Sequence, residues 1–213
     1  MPSARELDAV TVDAMGTVVE LVDPAPRLQE ALAERGAHHD TGPVRDAFAA
    51  EVAYYLPRAH EGRDEESLAA LGRACAGVFL AALGAELDAD EFAPAFVGAL
   101  EFRPLDGAEQ SLARLRAAGL ALACVSNWDV SLAAHLEDAG LGHHFDAVVS
   151  SAEAGVPKPD AAVFRVALER LGVEPGRALH VGDDDGDRRG AAAAGLAFEP
   201  TPVATLPERL GVS

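Results

Sequence analysis

Ala9-Val-Thr-Val-Asp-Ala-Met-Gly-Thr17 is where the fold can first be recognised, because an apolar run passes there directly into a polar turn. The run Ala9–Ala14 has the length and composition of a buried β-strand. Further runs of this kind follow at Leu120–Val125, Ala147–Ser150, Ala178–Val181 and, more weakly, Leu196–Phe198. Strands that are apolar along their whole length are typical of parallel sheets, whose two faces are both covered by helices.

Helical patterns separate these later runs. Gly107–Ala118 and Val130–Ala139 each precede a glycine, and Ala161–Leu171 stops at Gly172. A glycine just past the last apolar position is a typical helix C-cap. The alternation of strands and helices predicts an α/β fold, with a doubly wound, Rossmann-like parallel sheet as its core.

A long insertion separates the first strand from the second. It is about 105 residues long, far more than one crossover needs. Its patterns predict helices at Pro26–Arg35, Pro43–Leu56, Glu65–Leu83 and Asp90–Leu100. We therefore expect an α/β core domain formed by residues 1–20 and 101–213, and an all-helical cap domain at residues 21–100.

Composition limits the partners and the compartment. The net charge of −18 over 213 residues repels nucleic acid and anionic membranes, and no basic stripe offsets it. The polar N-terminus and the lack of an apolar run near 18 residues predict a cytoplasmic protein without a membrane span. Cys75 and Cys124 lie in apolar segments, so we expect two buried thiols rather than a disulfide. A monomer or a homodimer is expected.

Polar residues follow four of the predicted strands. In open parallel sheets, ligands bind beyond the carboxyl ends of the strands, so these groups are expected to converge. Lys158 is the only lysine in the chain, against 16 arginines, and it lies in one of these segments. The four segments are Asp13-Ala-Met-Gly-Thr17, Ser126-Asn-Trp-Asp129, Ser150 through Lys158-Pro159, and Gly182-Asp-Asp-Asp-Gly-Asp187.

The four segments resemble, in order and spacing, the sequence motifs of the haloacid-dehalogenase-like (HAD) hydrolase superfamily. The stretch from Ser150 to Gly195 is similar to its phosphatase-like branch with a helical cap, and in particular to the REG-2-like hydrolases. The residues that carry the resemblance are Asp13-x-x-Gly-Thr17, Ser126-Asn127, Lys158-Pro159 and Gly182-Asp183-x-x-x-Asp187.

The resemblance implies a nucleophilic role for Asp13, which would attack phosphorus and form an aspartyl-phosphate that water then hydrolyses. Thr17 and Ser126 would bind phosphoryl oxygens, and Lys158 would neutralise the charge on the phosphoryl group. The remaining substrate-binding candidates in this domain are Gly16, which permits a tight turn, Asn127, and Trp128, which either lines the pocket or packs beneath the cap.

A Mg²⁺ site is implied as well. The carboxylates of residues 183–187 would repel one another unless solvent or a cation compensates them. The resemblance implies that Asp13, the main-chain carbonyl of Met15 and Asp183 bind the ion directly. Asp187 would act from further away or through water, and Asp184 is a possible substitute. The alternative interpretation is a solvated acidic turn that caps the following helix.

Met15 departs from the family pattern. Phosphatases of this superfamily usually carry a second aspartate at that position, where it transfers protons. Because such help is worth about 10²–10⁴-fold, activity on ordinary phosphomonoesters should be weak unless the leaving group is good or another residue serves. Arg58 and His60 are the best candidates for substrate contact in the cap. The residues that could replace the missing acid are His38, His39, Tyr54, Tyr55, His60 and Glu61.

Three functions follow from these residues. A Mg²⁺-dependent phosphatase acting on a small phosphorylated metabolite is favoured. A 2-haloacid dehalogenase is the second, but Asp183 and Asp184 stand where dehalogenases carry Ser and Asn, and Phe164 stands where they typically place a tyrosine. The third is a catalytically impaired binding or regulatory protein. His180 is expected to have a structural role at the end of its strand.

Overall fold

The computed structural model describes residues 4–212. The chain divides into two compact units: one comprises the chain up to Glu20 and again from Phe102, and the other is Leu21–Glu101. The first is an α/β unit and the second is helical.

The α/β unit is built on a five-stranded sheet in the order β5-β4-β1-β6-β7, in which every pair of neighbours is parallel. The predicted α/β fold class is thereby confirmed. A separate two-stranded ribbon pairs β2 with β3; each has three residues, too few for a recognisable pattern. The strands are β1 (Ala9–Val12), β2 (Val19–Leu21), β3 (Phe102–Pro104), β4 (Ala121–Ser126), β5 (Ala147–Ser150), β6 (Ala178–Gly182) and β7 (Ala197–Pro200).

Helices cover both faces of the sheet because alternate residues of each strand are apolar on each side. On one face, Val10 and Val12 pack with leucines of helices Ala108–Ala117 and Leu132–Asp138. On the other, Val125 packs with residues of helices Ala161–Leu171 and Asp185–Ala194. The unit also contains the short helices Ser151–Ala154 and Leu206–Arg209, and 3₁₀ turns at Ala4–Glu6, Gly142–His144, Pro175–Arg177 and Val203–Thr205.

The helical unit is organised around three phenylalanines. The Phe79 ring lies 6.0 Å from Phe92 and 5.3 Å from Phe96, and leucines of the first helix complete this core. The N-cap carboxylate of Asp88 accepts hydrogen bonds from the main-chain N–H groups of residues 90 and 91. The helices are Ala25–Ala33, Thr41–Tyr55, Glu65–Leu83 and Ala89–Gly98, with a 3₁₀ turn at Leu56–Glu61.

Helix Glu65–Leu83 is long and apolar enough to cross a membrane by length and composition alone. This is a weak indication of a span, because the core helix of a soluble domain meets the same criteria. Cys75 and Phe79 of this helix are buried among the other helices of the unit. Both Cys75 and Cys124 are buried free thiols, so the prediction for the cysteines is confirmed.

Candidate active site

Asp13 lies at the carboxyl end of β1, the central strand of the sheet, and is only 6% exposed. Its main-chain N–H donates to the carbonyl of Val181, which continues the parallel ladder past the last residue of the strand. Lys158 Nζ lies 2.5 Å from Asp13 Oδ1 and 2.5 Å from Asp187 Oδ1, and it also donates to the carbonyl of Val125. One buried ammonium is therefore shared by two buried carboxylates.

The charges of this cluster are mutually stabilised. Burial alone would lower the pKa of Lys158, but the negative charges of Asp13 and Asp187 outweigh it and raise that pKa. Burial would likewise raise the pKa of Asp187, but the hydrogen bond from His180 and the charge of Lys158 lower it. Lys158 is thus an ammonium and Asp187 a carboxylate at neutral pH. Burial and the nearby charge of Asp13 raise the pKa of the Cys124 thiol, so this cysteine stays protonated and is no nucleophile.

Asn127 fixes the segment that carries Lys158. The main-chain N–H of Lys158 donates to Asn127 Oδ1 at 2.6 Å, and Asn127 Nδ2 donates to the carbonyl of Lys158 at 3.2 Å. Both ends of the amide are therefore occupied by protein. The amide of Asn127 therefore holds the lysine loop against the end of β4, and the substrate contact predicted for Asn127 stays a prediction.

Two glycines allow the carboxylates to come close. A Cβ atom on Gly16, whose φ is +74°, would lie 2.3 Å from Asp183 Oδ2. A Cβ atom on Gly182 would lie 2.3 Å from Asp187 Cγ. Since real Cβ contacts are essentially never so short, any other residue at either position would displace an aspartate. The tight turn predicted at Gly16 is present. The need for a glycine at position 182 could not be predicted, because it follows from the position of Asp187 in the folded chain.

The carboxylate oxygens of Asp13, Asp183 and Asp187 lie within 4.8 Å of one another. Burial, followed by the negative charges of Asp13, Asp187 and Asp184, raises the pKa of Asp183. A divalent cation would remove this repulsion, and carboxylate oxygens are the ligands that hard cations prefer. The Asp184 side chain, in addition, caps helix Asp185–Ala194 and accepts from the main-chain N–H of Asp187 at 2.7 Å. The acidic segment is thus both a helix cap and a potential cation site.

Thr17, in the turn between β1 and β2, and Ser126, the last residue of β4, are both buried. Among the described residues, Thr17 Oγ1 has no hydrogen-bond partner. A buried hydroxyl without a partner is costly and calls for an explanation. An anionic ligand oxygen would supply the missing acceptor, as the sequence predicted for this threonine.

Trp128, Met15, Arg58 and His60, which were also predicted as site residues, lie outside the buried cluster of charges. Trp128 packs against Phe102, with ring centroids 4.9 Å apart, and belongs to the apolar core, which favours packing over pocket lining. Met15 is 38% exposed. Arg58 and His60 lie in the helical unit, where the Arg58 guanidinium stacks over the Tyr54 ring at 4.2 Å and donates to the Tyr54 carbonyl.

His180 and Thr11 form a buried polar pair next to Asp187, and Thr11 was not among the residues predicted from the sequence. His180 lies within β6 rather than at its end, is fully buried, and its Nε2 lies 2.9 Å from Asp187 Oδ1. Its Nδ1 lies 2.8 Å from Thr11 Oγ1. The only sequence signal was the presence of polar residues inside two strands that are otherwise apolar.

The sheet order, the buried aspartate after the central strand and the lysine paired with it define the class: an α/β protein with a charged site at the carboxyl ends of its parallel strands. The haloacid dehalogenase-like hydrolase family model matches residues 7–195, and the chain belongs to this family. Family membership, expected from the four motifs, is therefore confirmed.

Comparisons with individual proteins agree with this assignment. The chain is 44% identical over 109 residues to haloacid dehalogenase-like hydrolase domain-containing protein 3 of Mus musculus, covering 51% of this chain and 43% of the relative. It is 45% identical over 116 residues to phosphoserine phosphatase of Thermus thermophilus, covering 53% and 47%. In both cases the match spans less than half of the relative's length. The solved structure of L-2-haloacid dehalogenase from Xanthobacter autotrophicus is similar with a TM-score of 0.66 and 29% identity, over 97% of this chain and 84% of that one.

Proposed function

We propose that this hydrolase is a Mg²⁺-dependent phosphatase that acts on a small phosphorylated metabolite through an aspartyl-phosphate at Asp13. The observation that carries the proposal is the buried Lys158 ammonium shared by Asp13 and Asp187, with Asp183 beside them. The similarity to a phosphoserine phosphatase supports phosphate-ester chemistry.

In the first step, the Asp13 carboxylate forms a bond to phosphorus while the bond from phosphorus to the leaving oxygen breaks; because Met15 cannot donate a proton, this oxygen leaves as an anion and takes its proton from water. In the second step, water hydrolyses the aspartyl-phosphate, which releases phosphate and restores Asp13. Lys158 contacts Asp13 Oδ1 and would hold both the carboxylate and the phosphoryl group in place. The hydroxyl of Thr17, which has no partner among residues 4–212, would donate to a phosphoryl oxygen, and Ser126 would contribute a second contact.

The donor set fits Mg²⁺, because three carboxylates converge and the pKa of Asp183 is raised by burial and by its neighbours' charges. Asp13, Asp183 and the main-chain carbonyl of Met15 would hold the ion, whose positive charge would stabilise the phosphoryl group. Asp187 would not bind the ion directly, because its Oδ1 already receives hydrogen bonds from Lys158 and His180.

The helical unit Leu21–Glu101 is proposed as the cap domain that selects the substrate, with Arg58 and His60 as contact residues. We propose a cytoplasmic protein, monomeric or homodimeric, without a nucleic-acid or membrane partner. The strong negative charge supports the absence of a nucleic-acid or membrane partner.

A screen of phosphomonoesters and acyl phosphates, with Mg²⁺ and with EDTA, tests the proposal. We expect hydrolysis that requires Mg²⁺ and disappears in Asp13→Asn, which preserves the shape of the side chain but removes the nucleophile. Hydrolysis no faster than that of the Asp13→Asn control across the screen would refute it.

A second candidate function is the hydrolysis of a carbon–halogen bond, favoured by the 29% identity to L-2-haloacid dehalogenase. In that reaction Asp13 would attack carbon and displace halide. Halide release from 2-haloacids in the presence of EDTA, with no phosphate release from any phosphoester, would support this function over the first. If both reactions are absent and beryllium fluoride with Mg²⁺ does not bind at Asp13, a binding or regulatory protein is favoured.

A further inference from the structure

Thr11 and His180 are polar residues inside an apolar layer. They face each other as partners in the parallel pairing of β1 and β6, and both are fully buried. The other strand residues on this face, such as Ala9 and Val125, are apolar. The Phe164 ring meets the imidazole edge-on, with centroids 4.8 Å apart. Valine and leucine would fill such a layer without any polar group to satisfy, so packing alone does not explain this pair.

The hydrogen bonds determine which ring nitrogen carries the proton. Asp187 Oδ1 receives the ammonium of Lys158 at 2.5 Å, so this carboxylate oxygen is an acceptor. His180 Nε2, 2.9 Å from the same oxygen, must therefore donate to it. In the neutral ring, Nδ1 is then an acceptor, and the Thr11 hydroxyl at 2.8 Å donates to it. A directed chain thus runs from Thr11 through His180 to Asp187.

This chain contributes to the orientation of Asp187, whose Oδ2 also accepts from the main-chain N–H of Asp184 at 3.4 Å. Its Oδ1 lies between two donors, Lys158 and His180, and its main-chain N–H donates to the cap residue Asp184. The same lysine contacts Asp13 at 2.5 Å. A rotation of the Asp187 carboxylate would therefore remove one of the three acceptors that hold the ammonium in place, the others being Asp13 Oδ1 and the carbonyl of Val125.

We propose that Thr11 and His180 are positioning residues: the Asp187 carboxylate requires the Nε2–H tautomer of His180, the Thr11 hydroxyl holds that ring by donating to Nδ1, and the ring orients Asp187 and through it the Lys158 ammonium against Asp13. This inference rests on the proposed function, because the position of Lys158 matters to catalysis only if Asp13 is the nucleophile. Removal of a hydrogen-bond partner that orients a metal-binding residue commonly changes activity by about 10- to 100-fold, and we expect an effect of this size here.

The first test compares kinetics with p-nitrophenyl phosphate and Mg²⁺. His180→Leu is expected to lower kcat by about 10- to 100-fold with KM changed less than about twofold, because the loss concerns the reacting groups. His180→Gln, which keeps a donor near the position of Nε2, should retain most of the activity. Thr11→Val should lower kcat and Thr11→Ser should not.

Ser111→Ala is the matched control. The Ser111 hydroxyl is also buried and donates to the carbonyl of Val203, on the opposite face of the sheet. This variant should lose stability without a change in kcat. Adding Thr11→Val to His180→Leu should cause no further loss of kcat, since both act through Asp187. Loss of kcat in Ser111→Ala equal to that in His180→Leu would overturn the proposal, as would wild-type kcat in His180→Leu.

The second test does not need activity. Nitrogen NMR of protein labelled with ¹⁵N-histidine reports the protonation of each ring nitrogen, and the signals of His180 are those lost in His180→Gln. We expect a protonated Nε2 and an unprotonated Nδ1 in the wild type. A protonated Nδ1 with a bare Nε2 would overturn the proposal. Hydrolysis by the wild type no faster than by Asp13→Asn would refute the proposed function instead. The NMR result would then show by itself whether the hydrogen-bond chain from Thr11 to Asp187 exists.

Discussion

Replacement of Lys158 by methionine should destabilise the protein, because it leaves two buried carboxylates without their shared cation. The side chains of Asp13 and Asp187 are 8% and 1% exposed, and that of Lys158 is 4% exposed. Removing one partner of a buried ion pair typically costs about 3–5 kcal/mol. For a chain of this size, each kcal/mol corresponds to roughly 2–4 °C in Tm, so we expect a decrease of about 6–20 °C.

The stability of Lys158→Met should also depend on pH in a different direction from that of the wild type. In the wild type, Lys158 and His180 hold the pKa of Asp187 below its usual range, although burial opposes them. Asp187 therefore adds stability above the pKa of an unfolded aspartate, and this is lost as the pH falls through the lowered value. In Lys158→Met, the effect of burial, which raises the pKa of Asp187, should dominate. The variant should therefore recover stability as the pH is lowered towards about 5.

Calorimetry in EDTA measures both effects. Arg188→Met is the control, since Arg188 forms an exposed ion pair with Asp185 in the same unit, and such pairs contribute little. Adding Mg²⁺ should raise the Tm of Lys158→Met more than that of the wild type, because uncompensated carboxylates bind a cation more tightly. A Tm of Lys158→Met close to that of Arg188→Met, at neutral pH and in EDTA, would refute the reasoning.

Three further changes test other parts of the structure. Met15→Asp should raise kcat for phosphomonoesters by about 10-fold or more, because it restores a proton-transfer group beside Asp13; an unchanged rate would mean that another residue already serves. Thr17→Val should weaken inhibition by inorganic phosphate while leaving the Tm unchanged or higher, since Thr17 Oγ1 has no partner among the described residues; a lower Tm with unchanged inhibition would contradict this. Burial raises the pKa of Glu51 although Cys75 donates to it, so the folded state holds this proton more tightly and stability falls as the pH rises above the ordinary glutamate value. In Glu51→Gln, the free energy of unfolding measured with urea should depend less on pH in that range. The same pH dependence as in the wild type would refute the raised pKa of Glu51.

The elements of secondary structure could be predicted from the sequence because they depend on local patterns. Apolar runs predicted β1 and its sheet neighbours, and glycines such as Gly172, which has a φ of +67°, ended the helices. The predicted strand and helix ends differ from the observed ones by no more than two residues. The ribbon of β2 and β3 was missed because its strands are too short to show a period.

The site could be predicted only in part. The motif order led to Asp13 and Lys158, whose side chains meet although 145 residues separate them. The sequence did not reveal which group each side chain contacts: the hydrogen bonds of Asn127 to the lysine loop and of His180 to Asp187 are seen only in the structure.

The sequence predicts elements better than contacts because a local pattern encodes the period of a helix or strand. It does not encode which other element packs beside that helix or strand. The sequence alone was enough to recognise the strands, the family motifs and the lysine that stands alone in an acidic chain. Tertiary structure alone places β1 between β4 and β6, which brings Thr11 opposite His180 and Lys158 between two aspartates. Since hydrogen bonds require specific distances, only the folded chain assigns each polar side chain its partner.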